Sequence, residues 1–399
     1  MTETSSTRAL DTRSPVRAPD RSTPTTGSTL TALTASPELC DDPVSAEFQE
    51  HVSAKLMAFI DERQTALAAL GDDLDSLFDT ARHYVSGGKR LRPAFAFWGW
   101  RAAGGNPDKT DAIISAAAAI ELVHASALAH DDVMDDSALR RGRPAAHHEF
   151  AHRRADHLGL DPTGPAMRRF GRSAAILLGD LLLSWSDELL TTSGFKPKAV
   201  ARGRVYFDKL RTEVVAGQFL DVLAQTSSKN SSSEAMRIVR YKSAKYTVER
   251  PLQFGAVLAK ADRPLLTALS SYGVPLGEAF QLRDDLLGVL GKSDETGKPS
   301  GDDIREGKKT LLMARAFRLA TPAQHEILLA NFANPDLDSD GTSAVQHILR
   351  SCGAVQAVET VITELTAASL VALAQAPIRD ESARGALRAM SDRVTNRTG

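Results

Sequence analysis

The stretch ELVHASALAHDDVMDD, residues 121–136, joins an apolar run to a group of four aspartates. Apolar residues recur with helical spacing over residues 116–130, just before those aspartates. A second run with the same spacing, residues 272–282, precedes Asp284 and Asp285. Few alternating β-branched runs occur elsewhere in the chain. The sequence therefore predicts an all-α protein, a single large helical bundle in which two acidic helices face a central cavity.

The first acidic group places Asp131 and Asp135 on one face of a helix, with Asp132 about 100° around the helix axis. Carboxylates this close repel one another, and their burial costs free energy unless cations neutralise them. Ligand sets made only of oxygen favour a hard divalent ion. The two acidic groups therefore predict Mg²⁺ sites that face each other and bind a polyanion, most simply a diphosphate.

Cationic side chains for such a polyanion lie in four short segments that contain glycine. These segments are GGKRLRP (87–93), RRGRP (140–144), GKP (297–299) and GKKT (307–310). Arg makes bidentate contacts with phosphate, whereas Lys supplies a point charge. The whole chain has 48 Lys and Arg residues against 50 Asp and Glu residues, so the basic segments are local features. A general nucleic-acid-binding surface is therefore not expected.

Taken together, these motifs resemble those of the polyprenyl synthetase family, the trans-isoprenyl diphosphate synthases, and most of all a bacterial geranylgeranyl diphosphate synthase. The strings that carry the resemblance are GGKRLRP (87–93), ELVHASALAHDDVMDD (121–136), LRRGRP (139–144), GQFLD (217–221), FQLRDDLLG (280–288) and GKPSGDDIREGKKT (297–310). The resemblance implies the isoprenoid synthase fold, three Mg²⁺ ions per site and two diphosphate substrates. The implied reaction is head-to-tail condensation of an allylic diphosphate with isopentenyl diphosphate.

The resemblance also implies a metal-binding role for five aspartates. Asp131, Asp132 and Asp135 are expected to hold Mg²⁺ against the allylic diphosphate, and Asp284 and Asp285 to hold a further ion. The second group departs from the commoner family pattern, because Gly288 stands where a third aspartate is usual. A ligand from that position is therefore not expected.

The resemblance further assigns the cations and polar groups around the diphosphates. For isopentenyl diphosphate these are Lys89, Arg92, His124 and Arg141, and for the allylic diphosphate they are Arg140, Lys298 and Lys308, with Gln218 and Gln281 as further contacts. The family's Lys-Thr pair has two possible matches. Lys242 with Ser243 is one, and Lys245 with Thr247 is the other. Since Lys242 and Lys245 share a helical face, both remain candidates.

Product length is expected to depend on the residues that precede Asp131. In the family the growing chain runs along the helix of the first acidic group, and Ser126 and Ala127 lie about one turn, roughly 5.4 Å, before the metals. Both side chains are small, so growth past C15 is expected and C20 is favoured, with C15 or longer products as alternatives. Expected candidates for the tunnel floor are Ala119, Ile120, Val123 and Trp185.

Two other functions share some of these features. A class I terpene cyclase has the same fold, but its second metal motif usually begins Asn-Asp, a dipeptide that this chain lacks. A non-catalytic subunit of a heteromeric synthase typically loses its aspartates, which this chain keeps. The string His148-Glu149-Phe150-Ala151-His152 imitates the two-histidine pattern of zinc proteases, but no third ligand is evident, so zinc is not expected there.

The chain is expected to hold a disordered tail, residues 1–44, and one helical domain, residues 45–399. The tail is rich in Ser, Thr and Pro and has no apolar period. The predicted helices span residues 52–70, 74–85, 112–136, 173–190, 209–223, 235–260, 265–290, 310–319, 324–332, 342–352 and 354–376. Only two cysteines are present, which argues against a disulfide framework.

The sequence also gives expectations for location and assembly. No apolar run long enough to cross a membrane is evident, and no signal-peptide core is seen, so a cytoplasmic protein without stable membrane insertion is expected. The resemblance implies a homodimer. The helix of residues 112–130 is expected near its interface, because the alanines at 116–119 would permit close helix approach.

Overall fold

The computed structural model describes residues 44–227, 230–291 and 301–396. Apart from Val44, the predicted tail lies outside these residues, as does Lys298. The first helices are α1 (Ala46–Leu67), α2 (Asp75–Val85), α3 (Leu91–Ala102), α4 (Thr110–Met134), α5 (Ala146–Leu158), α6 (Pro165–Thr191) and α7 (Pro197–Gln225). A short antiparallel hairpin, β1 (Leu139–Arg140) and β2 (Arg143–Pro144), joins α4 to α5.

The second part of the chain is helical as well. It forms α8 (Ser232–Ile238), a π-helix (Val239–Glu249), α9 (Arg250–Leu258), α10 (Arg263–Leu290), α11 (Asp302–Arg305), α12 (Leu311–Leu319), α13 (Pro322–Asn331), α14 (Ser339–Ser351), α15 (Ala354–Gln375) and α16 (Glu381–Thr395). Side chains satisfy the free backbone N–H groups at several helix starts, for example Ser45 before α1 and Asp262 before α10. The predicted all-α fold is confirmed.

Several helices were not predicted from the sequence, and others begin earlier than predicted. Helix α3 is buried on nearly every side, so its sequence, LRPAFAFWGWRA, is apolar all round and lacks the 3.6-residue alternation of a surface helix. Helices α5 and α16 were not predicted, and α6 and α7 begin at Pro165 and Pro197, well before the apolar runs that located them. Proline in the first helical turn marks both starts.

Helix α4 runs through the interior of the bundle. It packs on α6, α3 and α1, and the four alanines at residues 116–119 have no exposed surface within this one chain. Their small side chains therefore permit close packing inside the protomer. These four alanines do not themselves form a contact with a second copy, and a position of α4 near such a contact stays a prediction.

Two helical segments are long and apolar enough to cross a membrane by length and composition, which corrects the prediction that none exists. They span residues 107–134, which include α4, and Ala354–Gln375, which is α15. The apolar window of the first is 83% buried inside the fold. Helix α15 packs along α10 through residues such as Val358 and Ile362.

The π-helix lies between α7 and α10 and interrupts the single helix predicted for residues 235–260. Helix α7 approaches it so closely that a Cβ atom at Gly217 would overlap the backbone nitrogen of Lys242. Glycine is therefore required at 217. π-Helical turns are rare and often occur at functional sites, and this one carries Lys242 towards the centre of the bundle.

Candidate active site

One cavity of about 680 Å³ opens between α3, α4, α7, the π-helix and α10. The predicted site residues that line it are Lys89, Arg92, His124, Ala127, Asp131, Arg141, Gln218, Lys242, Gln281 and Asp284. Both acidic helices therefore reach the same space, as their sequences predicted. The cavity also has an apolar wall formed by Leu128, Met134, Val214, Val215, Phe219, Val222 and Phe280.

The first acidic group divides between two environments. Asp131 faces the cavity, where Gln218 Nε2 donates a 2.6 Å hydrogen bond to Asp131 Oδ1 and Lys242 Nζ lies 3.8 Å from the same oxygen. Asp135, one turn later, has a pKa raised to about 6 by burial and by the negative charge of Asp131. The elevated pKa means that the charged form of Asp135 is disfavoured, mainly because burial removes it from water.

Asp132 points away from that pair and has no exposed surface. Arg140 Nε donates to both of its carboxylate oxygens, at 3.0 and 3.1 Å, and the Tyr84 hydroxyl donates to Oδ2 at 2.7 Å. Both oxygens are thus occupied by protein donors, and this geometry does not support Asp132 as a metal ligand. Arg140 is turned towards Asp132, and its contact with the allylic diphosphate stays a prediction.

The second acidic group lies on α10. Asp284 lines the cavity, whereas Asp285 accepts a 2.8 Å hydrogen bond from Gln281 Nε2. Burial raises the pKa of Asp285 to about 7, and the negative charges of Asp303 and Asp284 add to this effect. As in the first group, burial and neighbouring carboxylates disfavour the charged form of the aspartate.

Gly288 has a role that sequence reasoning did not assign. A Cβ atom at this position would overlap Oδ2 of Asp303, a residue of α11. The absence of a side chain at 288 therefore lets the Asp303 carboxylate come up against α10, beside the second acidic group. Asp303 brings a third carboxylate to the place where the resemblance alone would lead us to expect one on the helix itself.

Lys308 closes this region from the segment that follows α11. Its Nζ lies 2.9 Å from Asp303 Oδ1 and 2.7 Å from Glu306 Oε2. These carboxylates raise the pKa of Lys308 despite its burial, so it stays charged. Its charge also lowers the pKa values of Asp135 and Asp285, which places Lys308 near both acidic groups.

The Lys-Thr ambiguity is resolved by the π-helix. Lys242 lines the cavity and donates to Asp221 Oδ2 at 2.6 Å, while Lys245 donates to Glu213 Oε1 at 3.2 Å and does not line the cavity. The prediction that the two lysines share a helical face assumed an α-helix, and it does not apply to the π-helix that is present. The geometry supports Lys242 at the site and does not support Lys245.

A second cationic region lines the cavity around Arg92. Its Nη2 donates to Thr247 Oγ1 at 3.1 Å, and its guanidinium lies 4.5 Å from the centre of the Tyr246 ring. Burial and the nearby arginines Arg92 and Arg141 keep the pKa of His124 well below its usual value. His124 is therefore neutral at pH 7 and can act as a hydrogen-bonding group, not as a cation.

Three comparisons with known proteins agree with this geometry. Residues 75–349 match the polyprenyl synthetase family.

The chain belongs to the polyprenyl synthetase family.

A geranylgeranyl diphosphate synthase from Methanosarcina mazei is 32% identical over 314 residues, which cover 76% of this chain and 88% of the relative. A nonaprenyl diphosphate synthase from Mycobacterium tuberculosis is 30% identical, with 85% and 90% covered. A crystal structure of a geranylgeranyl pyrophosphate synthase from Corynebacterium glutamicum, complexed with isoprenyl diphosphate and magnesium, superimposes with a TM-score of 0.83 at 38% identity, covering 88% of this chain and 99% of that one. This polyprenyl synthetase is accordingly a trans-prenyltransferase that acts on diphosphate substrates.

Polyprenyl synthetases use divalent metal ions to bind diphosphate, and the donor set here fits such ions. Burial and neighbouring carboxylates raise the pKa values of Asp135 and Asp285, so a bound cation would favour their charged forms. The available donors are carboxylate oxygens, which Mg²⁺ prefers. The residues positioned to hold metal are Asp131, Asp135, Asp284 and Asp285, with Asp303 beside the second pair.

Two residues expected to control product length occupy different environments in this polyprenyl synthetase. Ala127 lines the cavity, but Ser126 is only 3% exposed and faces the core. The expected floor residue Trp185 is also in the core, where its ring stacks on Phe78 with centroids 5.8 Å apart. The apolar wall is supplied instead by α7, through residues such as Val214 and Phe219.

Sequence reasoning also missed the residues that hold the site residues in place. These are Tyr84 and Tyr246, while Thr247 and Asp221 were matched without their contacts to Arg92 and Lys242. Their contacts are all long-range, so no local pattern marks them. Asp303 was expected to assist only indirectly, and its close approach at Gly288 was not predicted.

Proposed function

We propose that this chain is a geranylgeranyl diphosphate synthase, which condenses an allylic diphosphate head-to-tail with isopentenyl diphosphate to form a C20 trans product. The observation that carries the proposal is one cavity that combines two acidic groups, a separate cationic region and an apolar wall beginning at Ala127. The similarity to synthases named for C20 products adds support. Farnesyl diphosphate (C15) or a longer product is the alternative.

The allylic diphosphate would bind between the acidic groups. We propose three Mg²⁺ ions, held by Asp131 on α4, by Asp135 just after its end, and by Asp284 and Asp285 on α10. Bound Mg²⁺ would neutralise the diphosphate and make it a better leaving group. Lys242, which already lies 3.8 Å from Asp131, would donate to the same diphosphate. Lys308 would do so from the other side, on leaving its contacts with Asp303 and Glu306.

Isopentenyl diphosphate would bind at the second cationic region. Lys89, Arg92 and Arg141 line that part of the cavity, and neutral His124 supplies a hydrogen-bonding nitrogen without an additional charge. Arg92 is held by Thr247 and Tyr246, so its guanidinium is positioned before the substrate arrives. The two diphosphates therefore contact different residues, as a condensation of two substrates requires.

The remaining chemistry needs positioning more than reactive groups. The allylic C–O bond ionises, the double bond of isopentenyl diphosphate attacks the resulting carbocation, and the adduct loses a proton. The apolar wall, including Val214, Phe219 and Phe280, would surround the hydrocarbon chain and exclude water from the cation. Asp132 acts indirectly, because its bonds with Arg140 and Tyr84 hold the end of α4 in place.

Product sizing tests the C20 assignment. The purified chain would be incubated with isopentenyl diphosphate and each of the C5, C10 and C15 primers, and products measured by chromatography after dephosphorylation. Ala127→Phe should shorten the main product by one or more C5 units, because the ring would fill the cavity near Asp131. Ser126→Ala, on the buried side of the same turn, is the matched control and should leave the product unchanged. An unshortened product in Ala127→Phe would contradict the proposed path.

We also propose a homodimer, formed by the outer faces of α6 and α7. Apolar side chains there are largely exposed in a single chain, with Leu177 at 64%, Val215 at 65% and Phe219 at 67%. Exposed patches of this kind mark protein contacts. Since Val215 and Phe219 also line the cavity, a second copy would cover the outside of the substrate wall.

Light scattering distinguishes the dimer from a monomer. The unmodified chain should give twice its monomer mass at micromolar concentration. Leu177→Asp should shift the population towards monomer, because it buries a charge at the contact. Leu329→Asp is the control, since Leu329 is 62% exposed on α13, away from this face. A monomer mass for the unmodified chain would rule the proposal out.

A further inference from the structure

A second group of ligand-type side chains lies beside the first acidic group but faces away from the substrate cavity. Asp136 directly follows Asp135, beyond the end of α4. It adopts a left-handed backbone conformation with φ of 52°, which turns it away from Asp131 and Asp135. It meets His147 and His148 at the start of α5. One ligand atom from each of these three residues lies within 4.8 Å of the other two.

His147 is the central observation. Its side chain is only 4% exposed, and neither ring nitrogen has a hydrogen-bond partner among the described residues. Leaving a buried imidazole without partners costs free energy. Its Nε2 lies 3.6 Å from Asp136 Oδ1, and its ring centre lies 4.0 Å from that of His148. The backbone cannot withdraw, because Gly171 of α6 packs directly on the His147 carbonyl.

From this geometry we infer a binding site for a transition-metal dication, best matched by Zn²⁺, held by His147, His148 and Asp136. Two imidazole nitrogens and one carboxylate oxygen are a zinc-type ligand set with one position left open. That set is softer than the all-carboxylate groups of the substrate cavity. The open position would face a separate cavity of about 600 Å³ lined by His152 and Arg172, among others, and would be filled by water.

The ion pair between Arg172 and Asp136 does not prevent this. Its 3.1 Å contact lies at the surface, with the two side chains 52% and 65% exposed. Exposed ion pairs contribute little, about 0–1 kcal/mol, so Asp136 can exchange Arg172 for a metal.

The position of the group suggests what the metal does. Residues 136 and 147 are the two ends of the segment that contains the β1–β2 hairpin, and this hairpin carries Arg140 and Arg141. A metal bound to both ends would close that loop and reduce its freedom. Arg140 is bonded to Asp132, and Arg141 lines the substrate cavity. The metal would therefore stabilise the geometry of the active site without contacting substrate.

Zinc binding by the full chain tests the inference. Protein stripped with a chelator would be equilibrated with saturating Mg²⁺, which fills the carboxylate groups, and then titrated with Zn²⁺. Bound metal would be measured by elemental mass spectrometry after desalting. One zinc per chain should be retained. His147→Gln and Asp136→Asn should each weaken zinc binding by about 10–100-fold or more, since even indirect contacts to a metal are worth that much.

Two controls keep the result interpretable. Asp136→Asn changes an exposed side chain, so its loss of zinc cannot be attributed to unfolding, which circular dichroism would check. His152→Ala tests the alternative pairing of His148 with His152 and should leave zinc binding unchanged. Co²⁺ should give a tetrahedral visible absorption band that Asp136→Asn removes. No retained zinc in the unmodified chain, or loss only in His152→Ala, would overturn the inference.

Discussion

The two acidic groups of this polyprenyl synthetase reach similar charge by different means. The first is built almost entirely by α4, with Asp131 bonded to Gln218, and Asp132 buried against Arg140 and Tyr84. The second has only Asp284 and Asp285 on its helix and takes a further carboxylate, Asp303, from a later segment. The difference shows that residues distant in the sequence can add carboxylates to an acidic motif. The number of aspartates in the motif itself is therefore smaller than the number of carboxylates at the site.

The largest expected effect separates the two kinds of aspartate in the first group. Asp131→Ala should lower kcat by about 10²–10³-fold, the usual loss when one group that stabilises charge in the transition state is removed, while stability changes little. Asp132→Ala should instead unfold the protein more easily, by about 3–5 kcal/mol, because Arg140 loses its buried partner. Turnover and urea unfolding should be measured for both. Equal stability of the two variants would show that Asp132 is not an anchor.

Asp303 should matter to the second group as an added ligand or a close partner of the metal. Asp303→Ala should raise the Mg²⁺ concentration for half-maximal activity by about 10–100-fold. Asp302→Ala is the matched control, because the Asp302 side chain pairs with Arg305 on the same short helix. Magnesium titrations of initial rate compare the two. An unchanged magnesium requirement in Asp303→Ala would show that only Asp284 and Asp285 of the second group contribute to metal binding.

The two lysines of the π-helix sharpen the description of the first group. Lys242→Gln should lower kcat/KM for the allylic substrate by about 10–100-fold, which corresponds to one lost charged hydrogen bond of about 1.5–3 kcal/mol. Lys245→Gln should leave kcat/KM within about threefold, because Lys245 bonds Glu213 outside the cavity. Steady-state kinetics with each substrate varied in turn decide this. A comparable loss in both variants would mean that the π-helix changes shape when substrate binds.

The smallest expected effect is on stability. Folding raises the pKa of Asp135 to about 6 and of Asp285 to about 7, from a usual value near 3.8. The folded chain therefore binds these protons more tightly than the unfolded chain, and the metal-free protein loses stability as pH rises from about 4 to about 7. Mg²⁺ should offset that loss.

Thermal unfolding provides the measurement for this last prediction. Mg²⁺ should raise Tm more at pH 8 than at pH 5, by at least about 2 °C, and Asp285→Asn should remove much of the difference. Unfolding would be followed in EDTA and in Mg²⁺ at both values of pH. The same rise in Tm at both pH values would contradict the raised carboxyl pKa values.

Much of this architecture could be predicted because local periodicity reports burial on one helix face. Helices α4 and α10 and their aspartates followed from spacing alone, and the glycine-flanked cations indicated an anionic ligand. Helix α3 was not predicted because it is apolar on every side. Lys245 was kept as a candidate site residue because its direction was predicted for an α-helix, whereas the segment is a π-helix. Both predictions were wrong because they depended on the packing of neighbouring helices, which the local spacing of residues does not report.

By itself, the sequence determined the fold class, the two acidic helices and the family, because these depend on residue types at short, regular separations. Only the tertiary structure decided which of those residues meet. It buried Asp132 against Arg140, brought Asp303 over Gly288, directed Lys242 inward and assembled Asp136 with His147 and His148. Those contacts depend on how helices distant in the chain approach one another, and the free energy of packing many side chains at once sets that approach.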